Sequence, residues 1–108
     1  MDLIRDSKRI RKSLLDQACR IIKAVERAKH SPANANRNLN DAARHADKWS
    51  KLAASKNVEV DASHYRRMAT VAASLRQAAV IKDHRQRIGL AEQAIAELRA
   101  VVRNTKEK

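Results

Sequence analysis

The first thirty residues repeat apolar or small side chains at alternating intervals of three and four, which places them on one side of an α-helix. Pro32 ends the pattern, because proline cannot continue a helix and pushes the preceding Ser31 out of the α region. The sequence therefore predicts a long N-terminal helix over residues 2–29. Its apolar stripe comprises Leu3, Ser7, Ile10, Leu14, Ala18, Ile21, Val25 and Ala28, flanked by Ile4, Leu15 and Ile22.

The opposite side of this predicted helix is basic, and only Asp16 interrupts it. Two interpretations stay open: a solvated face that keeps a helical bundle soluble, or a surface that binds phosphate groups. Like charges at i and i+4 repel and weaken an isolated helix, so a purely structural face would more often interleave Glu. We name these six cations the basic row: Arg5, Arg9, Lys12, Arg20, Lys23 and Arg27.

The composition favours helices throughout the chain. Alanine is the strongest helix former, and the chain holds twenty alanines but one glycine, one proline and no phenylalanine. We expect an all-α fold, one domain over residues 1–108 with about four amphipathic helices. Alanine buries little area, so the helices must approach closely or recruit a second subunit, and we expect a homodimer. The predicted helices span 2–29, 39–56, 62–81 and 84–103, with a linker at 31–38 and a frayed basic tail at 104–108.

The boundary between the third and fourth helices depends on short-range signals. Asp83 and Gln86 fit a capping box that begins the fourth helix. One continuous helix over both segments stays an alternative, because no glycine or proline enforces a break at Lys82. On the second helix, which Asn38 or Asn40 can cap, we expect Trp49 to anchor the core rather than to face a partner.

A formal net charge of +12 predicts a polyanionic partner. Both ends of the chain are basic, whereas residues 31–61 carry five basic and four acidic groups. Nucleic acid comes first among the candidates, an acidic protein surface second and an anionic membrane last. Two aromatic residues cannot build a stacking platform for single strands, so we expect Lys and Arg to contact duplex phosphates.

Residues 52–68 have the outline of a helix-turn-helix, with His64, Arg66 and Arg67 exposed on its second helix. The apolar residues fall two positions later than that motif requires, at Tyr65 and Met68. Base reading by this helix is therefore the weaker hypothesis. Arg66 and Arg67 stand as a second candidate phosphate contact beside the basic row.

No spacing of reactive side chains predicts catalysis or metal binding. The histidines are scattered, and one glycine cannot build a phosphate-cradling loop, so we expect no enzyme, metal, cofactor or small-molecule substrate. Asp41 and His45 are predicted to form a surface ion pair. Cys19 is the only cysteine, which excludes a disulfide scaffold, and we predict that its thiol is half-buried and inert. Without a signal-peptide core or a run of 18 apolar residues, we expect a cytoplasmic protein and no membrane partner.

These features favour a small nucleic-acid-binding accessory or regulatory protein, of the kind found in phages or mobile elements. The alternative is a helical interaction module. Such an inhibitor or adaptor would dock its basic face on an acidic partner, for example a host nucleic-acid enzyme or defence complex.

Overall fold

A computed structural model describes residues 2–55 and 62–106, with side chains described over 12–54 and 64–103. Four α-helices and no strands occur in these ranges, which confirms the predicted all-α class. A 3-10 turn, Pro32–Asn34, joins the first two helices. The helices are α1 (Asp2–His30), α2 (Ala35–Ser55), α3 (Ala62–Val80) and α4 (His84–Lys106).

The four helices close into an elongated bundle with extents of 51 × 21 × 21 Å. Each helix packs against the next one in the chain, and α1 also packs against α4. Short connections make α1–α2 and α3–α4 antiparallel pairs, as in an up-and-down bundle. Side-chain contacts agree, since Lys29 at the end of α1 pairs with Glu92 near the start of α4. Consequently α1 and α3 lie at diagonally opposite corners.

Alanine allows the helices to approach closely around this core. Thirteen of the 25 buried hydrophobic residues in the described part of the chain are alanines. The described part of the α1 stripe, from Leu14 to Ala28, is buried as predicted. Larger side chains fill the centre of the bundle. They are Trp49, Leu14, Ile21, Leu39, Met68, Val71, Leu75, Leu98 and Val101.

Trp49 is the largest buried side chain, at 1% exposure, and it fixes α2 against α3. Its ring meets that of Tyr65 edge to face, with centroids 6.1 Å apart and planes at 71°. Edge-to-face pairs bring the positive ring edge onto the negative ring face, which adds to the stabilisation from burial. The prediction that Trp49 anchors the core is confirmed.

The connection between α1 and α2 is shorter than the predicted linker. Pro32 begins the 3-10 turn, where its missing N–H costs nothing, and α2 follows directly at Ala35. Asn38 and Asn40 therefore lie inside α2 and do not cap it. Burial of Ala35 and Leu39 against the core offsets the weak helix propensity of the asparagines.

α3 and α4 are separate helices, as the capping signal at Asp83 predicted. The Asp83 carboxylate caps α4, although Oδ1 accepts the N–H of Arg85 at 3.3 Å rather than that of Gln86. α4 continues to Lys106, so residues 104–106 of the predicted frayed tail are helical, and 107–108 lie outside the described residues. Nothing lies within 4 Å of a Cβ built on Gly89, so this glycine does not mark a close helix contact.

Two side chains of α4 join the end of the bundle at which α1 and α3 finish and α4 begins. Nε2 of His84 donates to the carbonyl of Lys29 at 3.2 Å, and Nδ1 accepts from Nη2 of Arg87 at 3.0 Å. The Arg87 guanidinium also reaches the carbonyls of Pro32 at 3.4 Å and Ile81 at 3.5 Å. Helix C-termini leave carbonyls unpaired, and these bonds satisfy three such groups from two helix ends and a turn.

Candidate nucleic-acid interface

The described members of the basic row lie exposed on the outer side of α1. Lys12, Arg20, Lys23 and Arg27 are all exposed, whereas the stripe on the other side of the helix is buried. Lys12 and Lys23 point most directly outward, and Arg20 and Arg27 are turned toward α2 by the 100° step of the helix. Arg5 and Arg9 belong to the backbone of α1, and their side chains lie outside the described residues.

α2 adds a second set of cations beside this row. The exposed Arg44 and Lys48 lie near Arg20 of α1, since all three act electrostatically on one histidine between the helices. The site predicted from the sequence did not include Arg44, Lys48 and Lys51. We name the exposed cations of the two helices the α1–α2 basic face: Lys12, Arg20, Lys23, Arg27, Arg37, Arg44, Lys48 and Lys51.

The carboxylates of α2 leave most of this charge unbalanced. Asp41 pairs with Arg44, three residues later, and not with His45 as predicted. Asp47 faces away from α1 and binds Arg76 of α3. Arg44 and His45 both lie within reach of Asp41 on the same helix, and a guanidinium supplies a stronger charge-assisted bond than an imidazole.

The other seven cations of the α1–α2 basic face have no carboxylate oxygen within 4.0 Å among the described side chains. Exposed Asp16 is the acid on the outer side of α1. A face that served only solubility would gain by pairing its charges, because cations at i and i+4 repel each other. The excess of positive charge therefore suits an anionic partner.

His45 lies half-buried where α1 meets α2, and its Nδ1 donates to Oε1 of Gln17 at 2.9 Å. Burial of the ring lowers the pKa of His45, and the positive charges of Lys48, Arg20 and Arg44 lower it further. The imidazole is therefore neutral at pH 7, and its tautomer carries the proton on Nδ1.

Arg66 and Arg67 lie away from the basic row, on the diagonally opposite helix. Arg66 is exposed and Arg67 is half-buried on α3. A straight duplex laid along α1 and α2 would not meet the outer side of α3, so these arginines do not join the α1–α2 basic face. His64, predicted to be exposed, is buried at 8% exposure. The turn of the predicted helix-turn-helix, residues 56–61, lies outside the described residues.

Cys19 is exposed, which corrects the prediction of a half-buried thiol. Cys19 follows the buried Ala18, and the 100° turn between successive residues of a helix places it outside the part of the α1 surface that packs against α4. Over the described ranges, no group of three or more His, Cys, Asp or Glu side chains could hold a metal ion. Within the same ranges, no helix has both the length and the apolar character needed to cross a membrane.

One signal in the sequence could have predicted that cations of α2 join the basic face of α1. A short connection between two amphipathic helices makes them antiparallel neighbours, so their basic outer sides must adjoin. The contact between His45 and Gln17 carries no such signal, because it depends on the register of the two helices. Comparisons with protein-family models, curated proteins and solved structures found no match for the chain.

Proposed function

We propose that this chain is a small nucleic-acid-binding accessory or regulatory protein that contacts duplex phosphates through the α1–α2 basic face. One observation carries the proposal. Eight exposed cations lie on two adjacent antiparallel helices, and seven of them lack a carboxylate within 4.0 Å among the described side chains. Neutralising such charges releases counterions from the duplex, which drives binding without any base contact.

The dimensions of the face suit a duplex. The cations of the face run from Lys12 to Arg27 on α1 and from Arg37 to Lys51 on α2, which is roughly 21–23 Å at ~1.5 Å per residue, about two-thirds of one turn of B-DNA at ~34 Å. A duplex carries one phosphate per ~1.7 Å of its axis, so phosphates outnumber the cations along this length. Each cation on the duplex-facing side can therefore find its own phosphate.

The shape of the bundle favours backbone contact over base reading. The bundle is 21 Å across, whereas the major groove is ~12 Å wide, so two helices side by side cannot enter it together. Lys and Arg side chains on such a face meet phosphates at the groove edges. We therefore propose binding that tolerates many sequences and weakens steeply with salt.

The decisive experiment compares two double charge reversals in a salt titration of duplex binding. Arg20→Glu with Lys48→Glu alters the α1–α2 basic face, and Arg66→Glu with Arg85→Glu makes the same change in net charge on α3 and α4. Loss of two phosphate contacts should lower the slope of log K against log salt by ~1.8, at ~0.9 per phosphate. The control pair should retain most of the wild-type slope.

An equal decrease of the salt slope in the two double variants would contradict the proposal, because it would show that duplex binding depends on net charge and not on the α1–α2 basic face. Unchanged binding in the first pair would contradict it as well. Circular dichroism checks that each variant keeps its helical content, which these exposed positions should not alter.

An acidic protein partner is the second candidate, and one shallow, open depression favours it. It is lined by Gln17, Lys48, Lys51 and Leu52, so an apolar side chain lies beside two cations. Mixed apolar and charged surfaces are typical of protein interfaces, where a host nucleic-acid enzyme or defence complex could be inhibited or recruited. Retention of one acidic protein after nuclease treatment, with no shift of duplex DNA, would favour this candidate.

The sequence-based homodimer remains a prediction, as does the lack of catalytic activity. An alanine-rich core can be buried by close approach of the helices or by a second subunit, and the bundle contains the close approach. Light scattering of the purified protein would test the dimer directly.

A further inference from the structure

We propose that Arg20, His45 and Lys48 form a phosphate subsite at the junction of α1 and α2, in which His45 takes up a proton as the phosphate binds. This inference rests on the proposed function and adds a specific locus and a pH dependence to it. Its basis is the position of the His45 imidazole between α1 and α2, where the neutral amide of Gln17 orients the ring.

The imidazole is held so that one nitrogen remains available. Nδ1 donates to Oε1 of Gln17 at 2.9 Å, which fixes the ring between the helices. No hydrogen bond to Nε2 occurs among the described residues, and the ring is half-buried rather than buried. The lone pair of Nε2 is therefore not used by any described group.

Three cations act electrostatically on this imidazole. Arg20 lies one turn after Gln17 on α1, and Arg44 and Lys48 lie one residue before and three residues after His45 on α2. Lys48 and Gln17 also line one surface depression together. Asp41, one turn before His45 on the same helix, is bonded to Arg44. Arg20 and Lys48 therefore carry charge that no described carboxylate within 4.0 Å balances.

The other charged residues near the junction of α1 and α2 do not cancel the positive charge around His45. Asp16 precedes Gln17 on α1 and is exposed to solvent, which screens its charge. α3 packs against the other side of α2, where Arg76 and Asp47 bind each other. α4 lies diagonally opposite α2 in the bundle, so the charges facing His45 come from α1 and α2.

A bound phosphodiester favours the protonated form of the His45 imidazole. In the free protein the pKa of His45 is lowered by burial and by the neighbouring cations, so Nε2 carries no proton at pH 7. A phosphodiester monoanion has no proton to donate to that lone pair. Its negative charge offsets the repulsion from Arg20 and Lys48, so a solvent proton adds to Nε2 and the N–H donates to a phosphate oxygen.

This coupling predicts tighter duplex binding as the pH falls. Uptake of one proton changes affinity by at most about tenfold per pH unit, within the window between the free and bound pKa values of His45. The effect is separate from the salt dependence, since ionic strength is held constant while pH varies.

The test uses calorimetry of the full chain with a random-sequence duplex of about two helical turns. Titrations at pH 6.5 in two buffers of different ionisation enthalpy measure the protons taken up on binding. His45→Gln keeps an N–H donor toward Gln17 but cannot titrate. His30→Gln is the matched control, because His30 is exposed and pairs with Glu26 of its own helix.

We expect the wild type and His30→Gln to take up a similar fraction of a proton, and His45→Gln to lose most of that uptake. The Cε1–H resonance of His45 should also titrate at higher pH in the complex than in the free protein. Equal uptake by His45→Gln and wild type would overturn the inference while leaving duplex binding intact. Absence of duplex binding at every pH and at low salt would overturn both proposals.

Discussion

Gln17 of α1 and His45 of α2 are joined by a 2.9 Å hydrogen bond at the line where the two basic outer surfaces meet. The packed cores of α1 and α2 set the register of the two helices, and this bond forms within that register. Arg20, one turn from Gln17, therefore lies near the cations that flank His45. The packing of the two helices thus brings together charges from two distant sequence segments.

The pH dependence of stability follows from His45. Its folded pKa lies below the unfolded value of 6.5, so unfolding takes up a proton between those two values. We expect the free energy of unfolding to fall as pH drops from 6.5 through the folded pKa, and to be restored above 6.5. Urea unfolding of wild type and His45→Gln at pH 5 and pH 7.5 measures the difference. A steeper acid loss in His45→Gln than in wild type would contradict the assignment.

Gly89 should be replaceable with a gain in stability. It lies exposed inside α4, and a Cβ at this position meets nothing within 4 Å. Gly89→Ala should stabilise the fold by about 1 kcal/mol, because alanine restricts the unfolded backbone and favours the helix. Ala96→Gly, on the same exposed side of α4, should have the opposite effect of similar size. Thermal unfolding followed by circular dichroism compares the two variants, and destabilisation by Gly89→Ala would show a hidden constraint.

Truncation of Trp49 should be among the most damaging single changes. Trp49→Ala removes a fully buried side chain and its contact with Tyr65, so we expect a loss of ~3–5 kcal/mol in the free energy of unfolding. Val80→Ala is the control, because Val80 is 79% exposed and should change stability by less than about 0.5 kcal/mol. Urea unfolding gives both values. Similar results for the two variants would contradict the position of Trp49 in the core.

Arg87 should stabilise the end of the bundle more than its neighbour Arg85. Arg87→Ala leaves the carbonyls of Pro32 and Ile81 without this donor, and we expect a cost of about 0.5–1.5 kcal/mol. Arg85→Ala removes an exposed side chain and should cost less than about 0.5 kcal/mol. Hydrogen exchange at the last turn of α1 should also accelerate in Arg87→Ala alone. Equal stability of the two variants would show that the carbonyls are satisfied by water.

Local pattern was sufficient for the helices but not for all of their ends. The apolar stripe of α1 and the capping signal at Asp83 predicted elements that the structure contains, since both are local properties of the sequence. The start of α2 could not be read in the same way. Asparagines at 38 and 40 suit a cap, and only the burial of Ala35 and Leu39 against other helices favours an earlier start.

The histidines show the same division between local and tertiary information. His45 and Asp41 have the spacing of an ion pair, but packing places Gln17 of α1 beside His45, and Asp41 binds Arg44 of its own helix instead. His64 was assigned to an exposed surface, yet the rotation of α3 buries it. Sequence spacing gives the side of a helix on which a residue lies, whereas neighbouring helices decide what that side meets.

The sequence by itself determined that this protein is helical, that Trp49 anchors its core and that the outer side of α1 is basic, because helix propensity and periodicity act over a few residues. Tertiary structure decided where the positive charge collects. By count, residues 31–61 are nearly neutral, but Asp47 faces α3 while Lys48 lies beside Arg20 of α1. Electrostatic fields depend on distance in space, and only the packed helices set those distances.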